Sequence, residues 1–289
     1  MEVILAEHAG FCFGVQRAVD TVYEQIERRG KEEPPIYTFG AIIHNEEVVS
    51  DLQRRGVCVL SSLAEAEQIP RAERGTVIIR SHGVERNVSE KLKELGFQVT
   101  DATCPFVKRI HDIVERESAA GKSIVIVGDE GHPEVEATRG WSYTKTYIIG
   151  SLEEAEKFVP QAGEELYVVS QTTFNYKKFQ DVVEILLKKG YNVGVVNTVC
   201  NATEVRQTEA RELAARVDVM IVIGGNHSSN TRKLYEICRQ ECEATYHIRT
   251  LDDLHLQLPE TVRLVGITAG ASTPNNIIEE VQNYVRINF

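Results

Sequence analysis

The chain has 289 residues, enough for two or three small domains, and 42% hydrophobic with 26% charged residues describes an ordinary globular protein. A formal net charge of −11 argues against a broad nucleic-acid-binding surface, and six cysteines in this length do not make a secreted disulfide scaffold. No apolar run approaches the ~20 residues of a membrane span, and the opening MEVILAEHAGF has no basic n-region, so no signal peptide is expected and a cytoplasmic, reducing setting is.

In chain order, a strand over 2–7 (EVILAE) leads to Cys12, which opens a helix. TVIIR (76–80) is followed by the helical pattern VERNVSEKLKELG, and the strand of GFQVTDATC then feeds Cys104. The order recurs with SIVIVG (123–128), LYVVS (166–170), the helix YKKFQDVVEILLKKG, and GYNVGVVNTVC feeding Cys200. A third stretch holds VMIVIGG (219–225), VRLVGIT (262–268) and the helix TPNNIIEEVQNYV. Strands alternating with helices predict an α/β fold. Gly30, Gly96, Gly121 and Gly190 stand where helices should stop.

Cys12, Cys104 and Cys200 are 92 and 96 residues apart, which exposes a repeat. His44, His132 and Ser228 follow them by 32, 28 and 28 residues, and His82, Thr172 and Ser272 by 70, 68 and 72. Each of these residues falls in a loop after a strand and near the start of a helix. Three pseudo-threefold-related α/β domains are therefore expected, each with a small, mostly parallel sheet. The bounds expected are 13–100, 101–196 and 197–289, the last completed by residues 1–12. Since the third unit ends on a helix, residues 2–7 should complete its sheet. Ligands in such sheets bind at the carboxyl ends of strands, so these loops are the candidate site.

Three thiolates drawn from three repeats are one ligand short of a closed metal site. A structural zinc site would show a closely spaced cysteine pair, which is absent among these three. Single, widely separated cysteines suit an iron–sulfur cluster at a domain junction, with one iron open to act as a Lewis acid. Each cysteine precedes a helix, whose dipole favours negative charge. Cys58, in GVCVL, is read as a buried small hydrophobe, and Cys238 and Cys242, four residues apart, as structural rather than metal-binding.

Ser228, Ser229 and Asn230 follow a Gly-Gly turn at a helix start, where they can cap the helix or present donors to a phosphate. TAGASTPNN repeats the device with Ser272, and Pro274 is placed in the first helical turn. Glu134 sits two residues after His132, and near a buried anionic cluster its pKa should rise, which suits a proton donor.

The motifs GFCFGVQRA, RSHGV, DATCPFV, GHPEV, SQTT, VCNAT-x-x-RQ, SSNT and TAGASTP run in order from residue 10 to residue 274. Together they resemble the 4-hydroxy-3-methylbut-2-enyl diphosphate reductases, which act last in the non-mevalonate isoprenoid pathway. The resemblance implies three α/β domains around one central [4Fe–4S] cluster per subunit, ligated by Cys12, Cys104 and Cys200. It implies substrate binding by His44, His82, His132, Thr172, Ser228, Ser229, Asn230 and Ser272, and proton donation by Glu134. The implied reaction is reductive dehydroxylation of an allylic diphosphate, with neutral donors and helix ends holding the diphosphate. A ferredoxin or flavodoxin is the implied electron donor, and neither nucleic acid nor membrane is an expected partner. Asn197, where an acidic residue is expected, and His227, where Asn is expected, depart from the pattern. Quinolinate synthase, which also has an open cluster, is the nearest rival reading; its substrates would call for more arginine in the facing loops.

Overall fold

The computed structural model describes residues 1–30, 32–255 and 261–288. The chain runs β1 (Glu2–Leu5), α1 (Phe13–Arg28), β2 (Ile36–Phe39), α2 (Glu46–Arg54), β3 (Val57–Leu60), α3 (Leu63–Gln68), β4 (Thr76–Ile79), α4 (Val88–Glu94) and β5 (Gln98–Asp101). It continues through α5 (Pro105–Ala119), β6 (Ser123–Val127), α6 (Pro133–Arg139), β7 (Thr146–Ile149), α7 (Leu152–Lys157), β8 (Leu166–Ser170), α8 (Tyr176–Lys188) and β9 (Val193–Val195). The last stretch holds α9 (Asn201–Ala214), β10 (Val219–Ile223), α10 (Ser229–Glu241), β11 (Thr245–Ile248), β12 (Leu264–Ala269) and α11 (Asn275–Asn288).

The strands form three four-stranded sheets in the orders β3-β2-β4-β5, β7-β6-β8-β9 and β11-β10-β12-β1. All the pairings in them are parallel. The order is the same three times, except that the N-terminal strand takes the fourth place in the last sheet. There Ile4 pairs with Gly266 and Leu5 with Ile267. A small local device repeats too. Glu65 accepts the N–H of Ser61, Glu154 that of Gly150 and Asp253 that of Arg249, each carboxylate reaching back four residues to close the turn after an outer strand.

Two compact units result. One comprises Gln16–Ile43 and Val49–Val199 and carries the first two sheets; the other comprises Met1–Val15, His44–Val48 and Cys200–Phe289 and carries the third. Parallel strands covered on both faces read as continuous apolar runs, and β6 and β10 are buried at all five positions. In β6, Val125 and Val127 pack with Phe179, Val182 and Leu186 of α8, while Ile124 and Ile126 pack with Ile110, Ile113 and Val114 of α5. In β10, Ile221 and Ile223 meet Ile277, Ile278 and Val281 of α11, and Met220 and Val222 meet Ala210, Leu213 and Leu234 of α9 and α10. Each such side chain, fully buried, contributes about 1.5–3 kcal/mol.

Three local expectations change. Cys58 is exposed, not buried: it lies on β3, the edge strand of its sheet, whose outer positions are covered less completely than those of a central strand. Gly96, Gly121 and Gly190 have positive φ (97°, 89° and 76°), but Gly30 is not in the left-handed region and does not end its helix that way. Pro274 stands one residue before α11 rather than within it. Cys238 and Cys242 are buried among Ala210, Leu213 and Leu234, and burial pushes the Cys238 thiol up to about 12.

Within the first unit, His111 of α5 stacks on Trp141 with ring centroids 5.0 Å apart, and Trp141 Nε1 donates to Val84 O at 2.9 Å. These contacts tie the loop after β4 to the second sheet's helices. Burial pushes the His111 pKa down to about 4 from its ordinary 6.5. The folded state therefore releases a proton that the unfolded chain keeps: stability is full above pH ~6.5 and falls by about 3 kcal/mol as the pH drops to ~4. Urea unfolding between pH 7 and 4.5 should show this decline, and His111→Phe, which keeps a stacking ring without a titrating group, should flatten it. An unchanged slope in the variant would remove His111 as the cause.

Candidate active site

In the unit built on the first two sheets, each site residue follows a strand end. Cys104 is the N-cap of α5, and its N–H donates to Ser81 O at 3.0 Å, which sets it beside His82 in the loop after β4. Asp101 shapes the turn leading in, its Oδ1 accepting from Thr103 N at 2.9 Å. The rings of His82 and His132 meet edge to face, with centroids 5.6 Å apart. His132 is the N-cap of α6, and its Nδ1 accepts from Glu134 N at 3.2 Å. The neutral ring must then carry its proton on Nε2, a donor suited to an anion.

Glu134 is only 2% exposed. Its Oε1 accepts from Thr172 N at 2.5 Å and its Oε2 from Thr172 Oγ1 at 2.6 Å. The two expected residues thus form one bidentate contact between the loops after β6 and β8. Gln171 strengthens it, because Gln171 Oε1 accepts from Asp129 N at 2.9 Å. Glu136 instead pairs with Arg139 near the surface.

The other unit holds Cys12, His44, Cys200, Ser228, Ser229, Asn230 and Ser272, drawn from three segments of the chain. Cys12 N donates to Ala271 O at 3.2 Å, and Ser272 Oγ donates to His44 O at 3.1 Å. A Cβ on Gly225 would stand 2.9 Å from His44 O, so the Gly-Gly turn is needed for this approach. Ser228 caps α10 by accepting from Thr231 N at 3.2 Å, and Ser229 Oγ accepts from Lys233 Nζ at 2.9 Å. Asn230 is 4% exposed, and among the described residues neither its amide nitrogen nor its amide oxygen has a hydrogen-bond partner. Three polar side chains at the first turn of a 13-residue helix, with its N-terminal N–H groups, make an anion-binding end.

Cys200 is the N-cap of α9. Two further residues of α9 reach the segment before Cys12. Arg206 Nε donates to His8 O at 2.8 Å and Nη2 to Gly10 O at 2.7 Å. Glu209 accepts from Glu7 N at 2.5 Å and His8 N at 3.0 Å. Gly10 has φ 97°, and a Cβ there would lie 2.8 Å from Asn275 Oδ1, so this bend requires glycine.

Sequence reasoning assigned no role to Arg206, Glu209 or Lys233. Lys233 was legible, since it stands one helical turn after Ser229 on the same face. Its buried ammonium adds a cation to a binding end read as neutral. The two departures are also explained. Asn197 Oδ1 accepts from Val199 N at 3.0 Å, the same turn that Asp101 makes before Cys104, so an amide serves there as well as a carboxylate. His227 is exposed, with its Nε2 3.9 Å from Glu46 Oε1.

The family model described as LytB protein matches residues 3–286. A protein of Caldanaerobacter subterraneus subsp. tengcongensis, named 4-hydroxy-3-methylbut-2-enyl diphosphate reductase, is 46% identical over 281 residues, covering 97% of this chain and 95% of its own. One of the same name from Thermoanaerobacter sp. (strain X514) is 45% identical over 288 residues, 99% of this chain and 97% of its own. The solved structure of the E-1-hydroxy-2-methyl-but-2-enyl-4-diphosphate reductase from Plasmodium falciparum superposes with a TM-score of 0.88 at 28% identity, covering 99% of this chain and 87% of that one.

The Glu134–Thr172 contact carries a measurable load. Thr172→Val removes the hydroxyl donor from a buried carboxylate and should cost about 1.5–3 kcal/mol in urea unfolding. Thr172→Ser, which keeps the hydroxyl, should recover most of the loss. Equal losses in both variants would show that the methyl packing matters and the hydrogen bond does not.

Proposed function

The chain belongs to the LytB family, and from that premise we propose that it reduces (E)-4-hydroxy-3-methylbut-2-enyl diphosphate to isopentenyl and dimethylallyl diphosphate, the last step of the non-mevalonate isoprenoid pathway. Two electrons and two protons enter per turnover, and the terminal hydroxyl leaves as water. Cys12, Cys104 and Cys200 supply the thiolates for one [4Fe–4S] cluster per subunit. The donor set supports this, because soft thiolates are the usual ligands of such clusters and each cysteine stands at a helix N-terminus. Arg206 adds a buried positive charge within electrostatic reach of Cys12 and Cys200. When bound, the cluster supplies single electrons and an open iron as Lewis acid for the departing hydroxyl.

The observation that carries the reading is the buried, unpartnered amide of Asn230 at the start of α10. Leaving such a group unsatisfied costs about 1–3 kcal/mol, a cost that a polar ligand removes. Beside it stand the Ser228 and Ser229 hydroxyls, and Lys233 holds Ser229 with a buried positive charge. A diphosphate supplies the acceptors that this end of the helix lacks. We assign substrate binding, mostly of the diphosphate, to Ser228, Ser229, Asn230, Ser272, His44, His82, His132 and Thr172. Lys233 orients Ser229 and offsets part of the ligand's charge.

Glu134 holds the proton to be delivered. Its partner Thr172 Oγ1 can donate to the carboxylate or accept from the carboxylic acid, so the pair can pass a proton without either residue moving. A ferredoxin or flavodoxin delivers the electrons. The division into domains at 13–100, 101–196 and 197–289, the last with 1–12, belongs to the same proposal, as does a cytoplasmic setting that keeps the thiols reduced. No helix among the described residues is long and apolar enough to cross a membrane. A quinolinate synthase-like activity is not favoured, since the LytB match runs from residue 3 to residue 286.

An anaerobic assay with reduced viologen and the hydroxylated allylic diphosphate tests the reading, and no consumption by fully loaded protein would sink it. Glu134→Gln should keep the cluster spectrum and lose about 10²–10⁴-fold in turnover; unchanged turnover removes Glu134 from its role. Replacing Cys12, Cys104 or Cys200 by serine should abolish or degrade the spectrum, and Cys58→Ser should leave it intact.

A further inference from the structure

The buried guanidinium of Arg206 has a use beyond holding a loop. It is 3% exposed, its Nε and Nη2 are spent on the carbonyls of His8 and Gly10, and its Nη1 has no hydrogen-bond partner among the described residues. Three residues on, Glu209 takes the N–H groups of Glu7 and His8, and His8 Nδ1 lies 3.1 Å from its Oε2. One helix therefore grips both the carbonyls and the amides of residues 7–10. That helix begins at Cys200, and the gripped segment ends at Cys12. Burial lowers the pKa of the guanidinium, while Cys12, Glu209 and Cys200 act on it in the opposite direction. Arginine stays charged against such a shift.

We propose that Arg206 is a positioning residue with a redox consequence: with Glu209 it fixes the Cys12 segment against the helix that Cys200 starts, and its charge stabilises the reduced cluster. This rests on the assignment of Cys12 and Cys200 as cluster ligands. Reduction adds a negative charge to an already anionic group, so a fixed buried cation within electrostatic reach of two of its ligands favours the reduced form more than the oxidised one. Local charge and hydrogen bonding are the means by which a protein sets such potentials.

The test compares Arg206→Met, which removes the charge, with Arg206→Lys, which keeps it but loses the planar fork, both in the full chain. Iron content is measured first, then the midpoint of one-electron reduction by a titration followed by electron paramagnetic resonance. Hydrogen exchange of the peptide over residues 6–16 is measured in parallel on cluster-free protein. Arg206→Met should disfavour the reduced form about tenfold, which for one electron is a midpoint ~59 mV more negative, and should speed exchange of that peptide about tenfold. Arg206→Lys should speed exchange too but keep the midpoint closer to the native value than to that of Arg206→Met. A native midpoint in iron-replete Arg206→Met overturns the electrostatic role, and native exchange overturns the clamp. If Arg206→Met folds but holds no iron, the lysine variant decides, a near-native midpoint supporting the charge and a full tenfold displacement overturning it. A native chain that assembles no cluster refutes the functional reading instead, and the exchange measurement then judges the clamp by itself.

Discussion

Parallel pairing of the strands is the constraint from which the rest of the molecule follows. A parallel strand cannot be reached by a tight hairpin, so each pair needs a crossover, and the crossovers deliver every carboxyl-terminal loop to the same edge of its sheet. His82 after β4, His132 after β6, Thr172 after β8, Ser228 after β10 and Ser272 after β12 stand at such edges for that reason alone. The apolar side chains of β6 and β10 are committed to helices on both faces, so the polar chemistry can only be carried by the loops.

The two units spend their polar groups differently. Around Glu134 the groups satisfy one another: both carboxylate oxygens are taken by Thr172, and the Glu134 amide by His132. Around Asn230 they do not, and a buried primary amide is left with neither donor nor acceptor used. A satisfied network holds its carboxylate in a defined place without a ligand. An unsatisfied amide beside two hydroxyls is a cost carried until something polar arrives. The first arrangement suits a group that must act on cue, and the second suits a group that must bind. The same helix-start device therefore supports two roles, according to whether neighbouring side chains complete it.

The fold was legible to the degree that it repeats. β-branched runs announced the strands, and the offsets from Cys12, Cys104 and Cys200 located the loops, because a loop's place after a strand is fixed by chain order. What could not be read was which side chains reach across. The grip of Arg206 on His8 spans 198 residues, and no local pattern encodes it. Lys233 was local and could have been found from its spacing to Ser229, but a lysine on a helix is ordinarily solvated, and only burial changes its meaning. Cys58 failed for the opposite reason: its apolar neighbours suggested burial, but an edge strand covers one face less completely than a central strand. Asn197 shows that a departure from a motif can leave its geometry intact, since an amide oxygen accepts the same N–H as a carboxylate.

The third sheet differs from its siblings in one respect, and that respect bears on the metal-ligand candidates. In the first two sheets the fourth strand is β5 or β9, close in sequence to its neighbours; in the third it is β1, paired with β12 some 260 residues later, as Glu2 is with Leu264. Cys12 follows that strand after a short turn-containing loop. Its position depends on a pairing that closes a loop of some 260 residues, at a correspondingly high entropic cost. Once β1 is seated, its register, the amide bond from Cys12 to Ala271, and the grip of Arg206 and Glu209 all act on one short segment. Redundant anchoring at that point is what a ligand needs when it arrives from the far end of the chain. Cys104 and Cys200 come from the chain that runs on from β5 and β9, and each needs no more than a turn and a cap.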